Sequence, residues 1–236
     1  MPAQTHKDII VFINRDYPNF INELTEYGFR VIEIDKNATL SGPVCKHADM
    51  QIAIVNSRTF VLPGSEQIIS YLESENTPYT LTEKASQKYP KDVLCNLKQI
   101  GNNIICNTKY IDKSILVFAE NSNLNVIHVN QGYAGCSTLK VDNNSIITSD
   151  KGIYEAAIKN KIDAIKIHEG FIKLEGLNYG FIGGASCNIN NKLIIFFGTL
   201  GKHPDKDLIR EFIRNKGLNI LELNGELTDI GGMVAL

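Results

Sequence analysis

The sequence has no apolar run long enough to cross a membrane; the longest, such as Leu193 to Phe197, are of strand length. It also lacks the apolar core of a signal peptide near its N-terminus. Net charge is nearly absent: 24 Lys and Arg stand against 26 Asp and Glu, giving −2, with no basic stripe, which excludes bulk attraction to nucleic acid. Cysteines are few and scattered, at 45, 95, 106, 136 and 187, and never as CxxC. That argues against a zinc site or a dense disulfide framework and points to a reducing cytoplasm. The turn after Ile13 reads Asn14-Arg15-Asp16-Tyr17-Pro18, without the GxGxxG that admits a pyrophosphate. Gly183-Gly184 and Gly231-Gly232 lack the Lys-Ser or Lys-Thr of a phosphate loop, and read instead as tight bends or close strand approach. No linker divides the chain. The polar stretch Glu83 to Lys91 ends on Pro90 and reads as a surface crossover, so residues 1–236 are expected to form one domain.

What is present is a compact composition, 43% hydrophobic and 21% charged, and a repeat. Leu97-Lys98, Asn102, Ile104-Ile105, Lys109 and Ile111 recur as Leu139-Lys140, Asn144, Ile146-Ile147, Lys151 and Ile153, each 42 residues later. The shared grammar is an apolar strand, a capping residue three before a branched apolar residue, an amphipathic helix and a second strand. The caps are Ser65, Thr108, Asp150 and Asp205. Four complete units follow, at 43–82, 93–130, 132–168 and 180–223. The chain opens on a strand, helix and strand (Ile9 to Ile13, Pro18 to Tyr27, Arg30 to Ile34) and ends on a lone glycine-bearing strand, Asp229 to Leu236. Joined, the two ends make a fifth unit. An array that splits one unit between its termini is most simply a closed ring, here with helices outside and short strands around a central channel.

A five-unit α/β ring with His47-Ala48-Asp49, a late Gly135-Cys136-Ser137 strand and a Gly-Gly strand resembles the pentein, or guanidine-modifying enzyme, fold. That superfamily includes arginine deiminases, dimethylarginine dimethylaminohydrolases, agmatine deiminases, amidinotransferases and a ribosome-binding initiation factor. The segments GYAGCST (132 to 138), GFIGGASC (180 to 187), HPD (203 to 205) and DIGG (229 to 232) resemble a little-characterised bacterial branch of it. The resemblance implies a five-bladed β/α propeller with pseudo-five-fold symmetry, and a small guanidino or amidino molecule as partner, without cofactor, metal or membrane. In the family's hydrolases the nucleophilic cysteine lies two units after the HxD histidine, and a carboxylate lies one unit before it. On that pattern Cys136 is the nucleophile, His47 the proton shuttle and Asp229 the carboxylate, with Asp49, Cys187 and His203 as substrate-binding candidates. The chain is then cyclically permuted relative to the familiar enzymes. It departs from them in reading Asp-Ile-Gly-Gly-Met for Glu-Gly-Gly-Asp, and in lacking a C-terminal cysteine.

The chemistry explains the residue types. A guanidinium carbon is poorly electrophilic, so attack needs a thiolate, a neighbouring proton carrier, and carboxylates that hold the cation in place. Each residue also has a plainer reading. Cys136 can be a small buried filler, His47 a structural histidine, and Asp49 and Asp229 turn caps. In His203-Pro204-Asp205, Asp205 reads as a helix cap and Pro204 as a helix-entry residue. His6, His128 and His168 have no partner at a telling spacing. Two functional classes remain: a guanidino- or amidino-group hydrolase or transferase working through Cys136, and a catalytically inactive pentein that binds a small molecule, the ribosome or another partner.

Overall fold

The computed structural model describes residues 6–236. The chain runs β1 (Ile10–Asn14), α1 (Pro18–Glu26) and β2 (Arg30–Ile34), then a short helix α2 (Ala48–Gln51). Four units follow: β3 (Ile52–Val55), β4 (Arg58–Val61), α3 (Glu66–Ser74) and β5 (Tyr79–Leu81); β6 (Lys98–Ile100), β7 (Asn103–Cys106), α4 (Lys113–Asn121) and β8 (Asn125–His128); β9 (Thr138–Asp142), β10 (Ser145–Thr148), α5 (Lys151–Lys159) and β11 (Asp163–Lys166); β12 (Ser186–Ile189), β13 (Leu193–Phe196), α6 (Lys206–Asn215) and β14 (Asn219–Glu222). The chain closes on β15 (Val234–Ala235).

These strands make five separate three-stranded sheets. In each, a first strand pairs antiparallel with a middle strand, and the middle strand pairs parallel with the strand that follows the helix. The split unit obeys the same rule. β15 lies antiparallel to β1, with Val11 opposite Ala235, and β1 lies parallel to β2. This is the pentein architecture, a five-unit β/α propeller with one unit divided between the chain ends.

Local sequence accounts for the repetition. The hairpins turn on Asn56, on Gly101 and on Asn190-Asn191, all with positive φ, where asparagine and glycine are the least strained residues. All five long helices end two residues before a left-handed position, held by Gly28, Asn76, Asn123, Lys161 and Gly217. Four of these are the residue types that such a position favours; Lys161 is not. Middle strands such as Ile104–Cys106 and Ile194–Phe196 are buried, since helix and inner strands cover both faces. Each fully buried Ile or Phe contributes ~1.5–3 kcal/mol. One cluster, with Val11, Ile13, Ile195, Phe197 and Met233, ties the two chain ends to the preceding unit.

Some expectations change. Of the four caps, Asp150 behaves as expected, accepting from the Ile153 amide at 2.8 Å. Thr108 does not cap. Its hydroxyl contacts His128 Nδ1, and α4 starts later, where Asp112 accepts from Ser114 N. Ser65 and Asp205 occupy the N-cap positions without making the cap bond. Ser65 Oγ accepts from Asn37 Nδ2, and Asp205 is taken up by the His168 amide and ring at 2.7 and 3.0 Å. The C-terminal strand is also shorter than expected, because residues 229–233 form a glycine-rich bend before Val234.

The expected open channel is closed at one level by a belt of hydrogen bonds linking the turn before the first strand of every unit. Asp49 N donates to Gly231 O (3.1 Å), Gly184 N to Cys136 O (3.1 Å), and Ile230 N and Gly232 N to Gly184 O (3.1 and 2.8 Å). The remaining two links run through one side chain. Asn96 Nδ2 donates to Asp49 O (3.3 Å), and Asn96 Oδ1 accepts from Gly135 N (2.7 Å) and Cys136 N (3.1 Å). Such close approach needs glycine. A Cβ at Gly231, whose φ is +83°, would overlap the His47 ring, and one at Gly183 would sit 2.5 Å from the carbonyls of Gly135 and Thr138.

Candidate active site

The belt carries the chemistry. His47 ends a 3-10 turn (Gly42–Lys46) and opens α2, which places Asp49 on the helix. Asn96 and Cys136 each sit two residues before the first strand of consecutive units, in equivalent turns rather than at equivalent positions, since the 42-residue repeat matches Asn96 to Thr138. His47, Asp49, Asn96, Cys136 and Asp229 are all buried, with Cys136 and His47 each only 2% exposed.

Within this cluster the Cys136 thiol donates to Asp49 Oδ2 at 2.9 Å, and Asn96 Nδ2 donates to Cys136 Sγ at 3.0 Å. One donor atom from each of His47, Asp49 and Cys136 lies within 4.8 Å of the other two. Thiol, imidazole and carboxylate therefore converge as the spacing predicted. Two atoms are left without partners, Asp49 Oδ1 and His47 Nδ1. Asp229 is placed differently. Its Oδ2 accepts from the Phe181 amide (2.8 Å) and its Oδ1 from the Gly231 amide (2.9 Å), so it clamps two turns of the belt while adding negative charge beside His47.

Burial sets the electrostatics. Asp49 is pushed up to about 7 by desolvation and by the nearby Asp229 charge. Asp229 is raised by desolvation, against the pull of His47. His47 is lowered by burial. Cys136 is held well above the ordinary thiol range by burial and by the charges of Asp49 and Asp229. A histidine close to a thiol ordinarily lowers its pKa, but here burial, followed by the two carboxylates, keeps the Cys136 thiol protonated in the unliganded protein. Neither carboxylate has a lysine or arginine in ion-pair contact among the described residues; Lys98 acts on Asp49 from across a cavity and only partly offsets the cost of burying its charge. The mixed Cys, His and Asp donors also have the chemistry to hold a zinc-like ion.

Space lies on both sides of the belt. A cavity of about 160 Å³ is lined by His47, Asp16, Tyr17, Lys46 and Glu175. Lys46 is committed to Asp16 at 2.6 Å. A second cavity of about 420 Å³ includes Asp49, Lys98, Lys140 and Cys187. Cys187 lies in β12, its thiol pushed up to about 12 by burial, away from the Cys136 cluster. His203 lines a third cavity, apart from both. Of the remaining histidines, His6 stacks on Phe29, and His128 and His168 pair with Thr108 and Asp205. The sequence reading missed Asn96, whose one available signal was its place in the turn equivalent to that of Cys136.

No curated protein matches the sequence. The model of a family described as "Family of unknown function (DUF6873)" matches residues 12–234, and the chain belongs to that family. Among solved structures it is similar to DDAH from Pseudomonas aeruginosa complexed with citrulline, at 10% identity and a TM-score of 0.61 over 97% of this chain and 98% of that one. It is also similar to an amidinotransferase of the saxitoxin biosynthetic pathway from Microseira wollei (10% identity, TM-score 0.57, 89% of this chain and 76% of that one). C. jejuni agmatine deiminase matches at 10% identity with a TM-score of 0.54 over 95% and 89% of the two chains. These likenesses establish the fold, that of the pentein superfamily.

Proposed function

We propose that the protein modifies a guanidino or amidino group of a small cationic molecule, with Cys136 as nucleophile. The observation that carries this reading is the buried cluster itself: a thiol, an imidazole and two carboxylates, with no lysine or arginine in ion-pair contact among the described residues and Lys98 acting on Asp49 only from across a cavity. A bound guanidinium supplies the missing cation. Its N–H groups donate to the free Asp49 Oδ1, and its charge favours ionisation of both Asp49 and Cys136. Asp49, already accepting from the thiol, takes its proton as sulfur attacks the guanidinium carbon and the C–S bond forms. His47 relays that proton from Asp49 to the departing amine, then takes one from the water, or acceptor amine, that attacks the C–S intermediate, and returns it to sulfur as the C–S bond breaks, restoring the thiol. Asn96 is a positioning residue, holding the Cys136 amide and donating to its sulfur. Asp229 contributes charge and fixes the turns. The likeness of fold to solved structures named as DDAH, an amidinotransferase and an agmatine deiminase supports the same substrate class.

Entry fits the His47 side, where Lys46 is neutralised by Asp16 and Glu175 is left to attract a cation, better than the cavity with Lys98 and Lys140. Cys136 is in the wall of neither cavity, so a turn of the belt or Tyr17 has to shift for substrate to reach sulfur. That same burial favours a second reading, a pentein that binds without turnover. Screening arginine, agmatine, methylated arginines and simple guanidines for released ammonia or amine separates them. Turnover abolished by Cys136→Ala with the fold intact supports the enzyme. Saturable binding with no turnover by any guanidine supports the binder and overturns the nucleophile.

A further inference from the structure

The motif His203-Pro204-Asp205 has no part in the Cys136 cluster, yet His203 is in an unusual state. Its side chain is fully buried, and Nδ1 accepts the Asp205 backbone amide at 3.1 Å. An Nδ1 that accepts carries no proton, so the neutral ring bears its hydrogen on Nε2. That Nε2, on the opposite ring edge, has no partner. A buried N–H donor left unpaired costs about 1–3 kcal/mol, so it calls for an acceptor.

His203 forms part of the wall of a cavity of about 390 Å³, with Phe171, Lys173, Thr199 and Lys202. Phe171, 49% exposed, lies edge-on to the imidazole with ring centroids 5.6 Å apart. Lys173 has no ion-pair partner among the described residues. Lys202 reaches only the exposed Glu226, at 3.8 Å, a pair worth little in water. The cavity thus combines an orphan donor, two lysines against the single carboxylate of Glu226, which is also in its wall, and an apolar ring, a lining that is net positive. Its backbone is fixed by bridges between Thr199 and Glu226 and between Lys173 and Thr228.

We propose that this cavity is a second ligand site, separate from the Cys136 centre, which takes a small oxyanion: one oxygen accepts from His203 Nε2–H while Lys173 and Lys202 balance the charge. The shared chemistry is that of a carboxylate or a phosphate. A cationic guanidine does not fit here, so the site serves an anionic metabolite.

The test uses the full chain with ¹⁵N-labelled histidine, titrated separately with inorganic phosphate and with succinate; His203→Gln assigns the His203 ring signals. The expected result is a saturable shift of the His203 Nε2 signal by one of the two anions, with the responding anion identifying the source of the oxygens. Lys173→Ala combined with Lys202→Ala is expected to weaken binding roughly tenfold or more. Cys136→Ala is expected to leave it unchanged, which separates this site from the proposed catalytic one. No saturable shift with either anion up to about 50 mM, or a shift unaffected by loss of both lysines, overturns the proposal.

Discussion

Cys136 Sγ and Asp49 Oδ2 stand 2.9 Å apart across 87 positions of chain, with the thiol donating to the carboxylate. The bond sets against each other two buried groups whose charged forms are both disfavoured by desolvation. It also makes Asp49 a site where charge is costly.

That cost has a pH signature. The native Asp49 carboxyl keeps its proton up to about pH 7, whereas the unfolded one loses it near 4. Between those values the native state binds more protons, so this residue's contribution to stability falls as pH rises. Asp49→Asn removes the charge and keeps an acceptor for the thiol. The variant is expected to melt close to wild type at pH 5 and to be more stable by on the order of 2 kcal/mol at pH 8. His47 acts in the opposite sense, its lowered value costing stability as pH drops below about 6.5, but equally in both proteins. Thermal melts of the two proteins across this range give the answer; a difference independent of pH contradicts it.

Alkylation should follow access. Cys45 is the one cysteine that is partly exposed, and Cys95, Cys106, Cys136 and Cys187 are buried. Iodoacetamide followed by peptide mass mapping is expected to label Cys45 first and Cys136 slowly in the free protein. Rapid labelling of Cys136 without ligand would show the thiol to be neither buried nor held protonated.

Asn96→Ala breaks the two side-chain links of the belt. It leaves the Gly135 and Cys136 amides unsatisfied in a dry interior, at an expected cost of ~2–4 kcal/mol. Urea unfolding should show a lower midpoint with an unchanged slope. A loss under about 0.5 kcal/mol would mean that backbone contacts alone close the belt.

Lys161 is the one non-Gly, non-Asn residue among the five left-handed helix ends, with φ +60°. Lys161→Gly is expected to stabilise the protein by ~0.5–1 kcal/mol, read as a higher melting temperature.

Much of the architecture is legible in sequence because it is repetitive. The 42-residue offset of Leu97 to Leu139 and of Ile104 to Ile146 marks two adjacent units, and the split between Ile10–Asn14 and Val234–Ala235 follows from the count. The convergence of His47, Asp49 and Cys136 is legible too, through unit spacing and the family resemblance. What escaped is what depends on competition between partners. Thr108 and Asp112 are both plausible caps, and only the final register chooses Asp112. Asp205 is a capping residue by type, but the His168 amide claims it. Asn96 looks like any turn asparagine until the folded chain sets it against Cys136. The sign of the Cys136 shift was not legible because sequence shows the histidine beside the thiol, while depth of burial belongs to the folded chain.

The central claim, that Cys136 attacks a guanidinium carbon, is tested most directly by acid-quenching the protein during incubation with agmatine, arginine and simple guanidines and weighing its peptides. The account expects the peptide containing Cys136 to gain the mass of an amidino group during turnover, and Cys136→Ala to show neither adduct nor product. Product formation that survives Cys136→Ala, or an adduct found only on another cysteine, would contradict it.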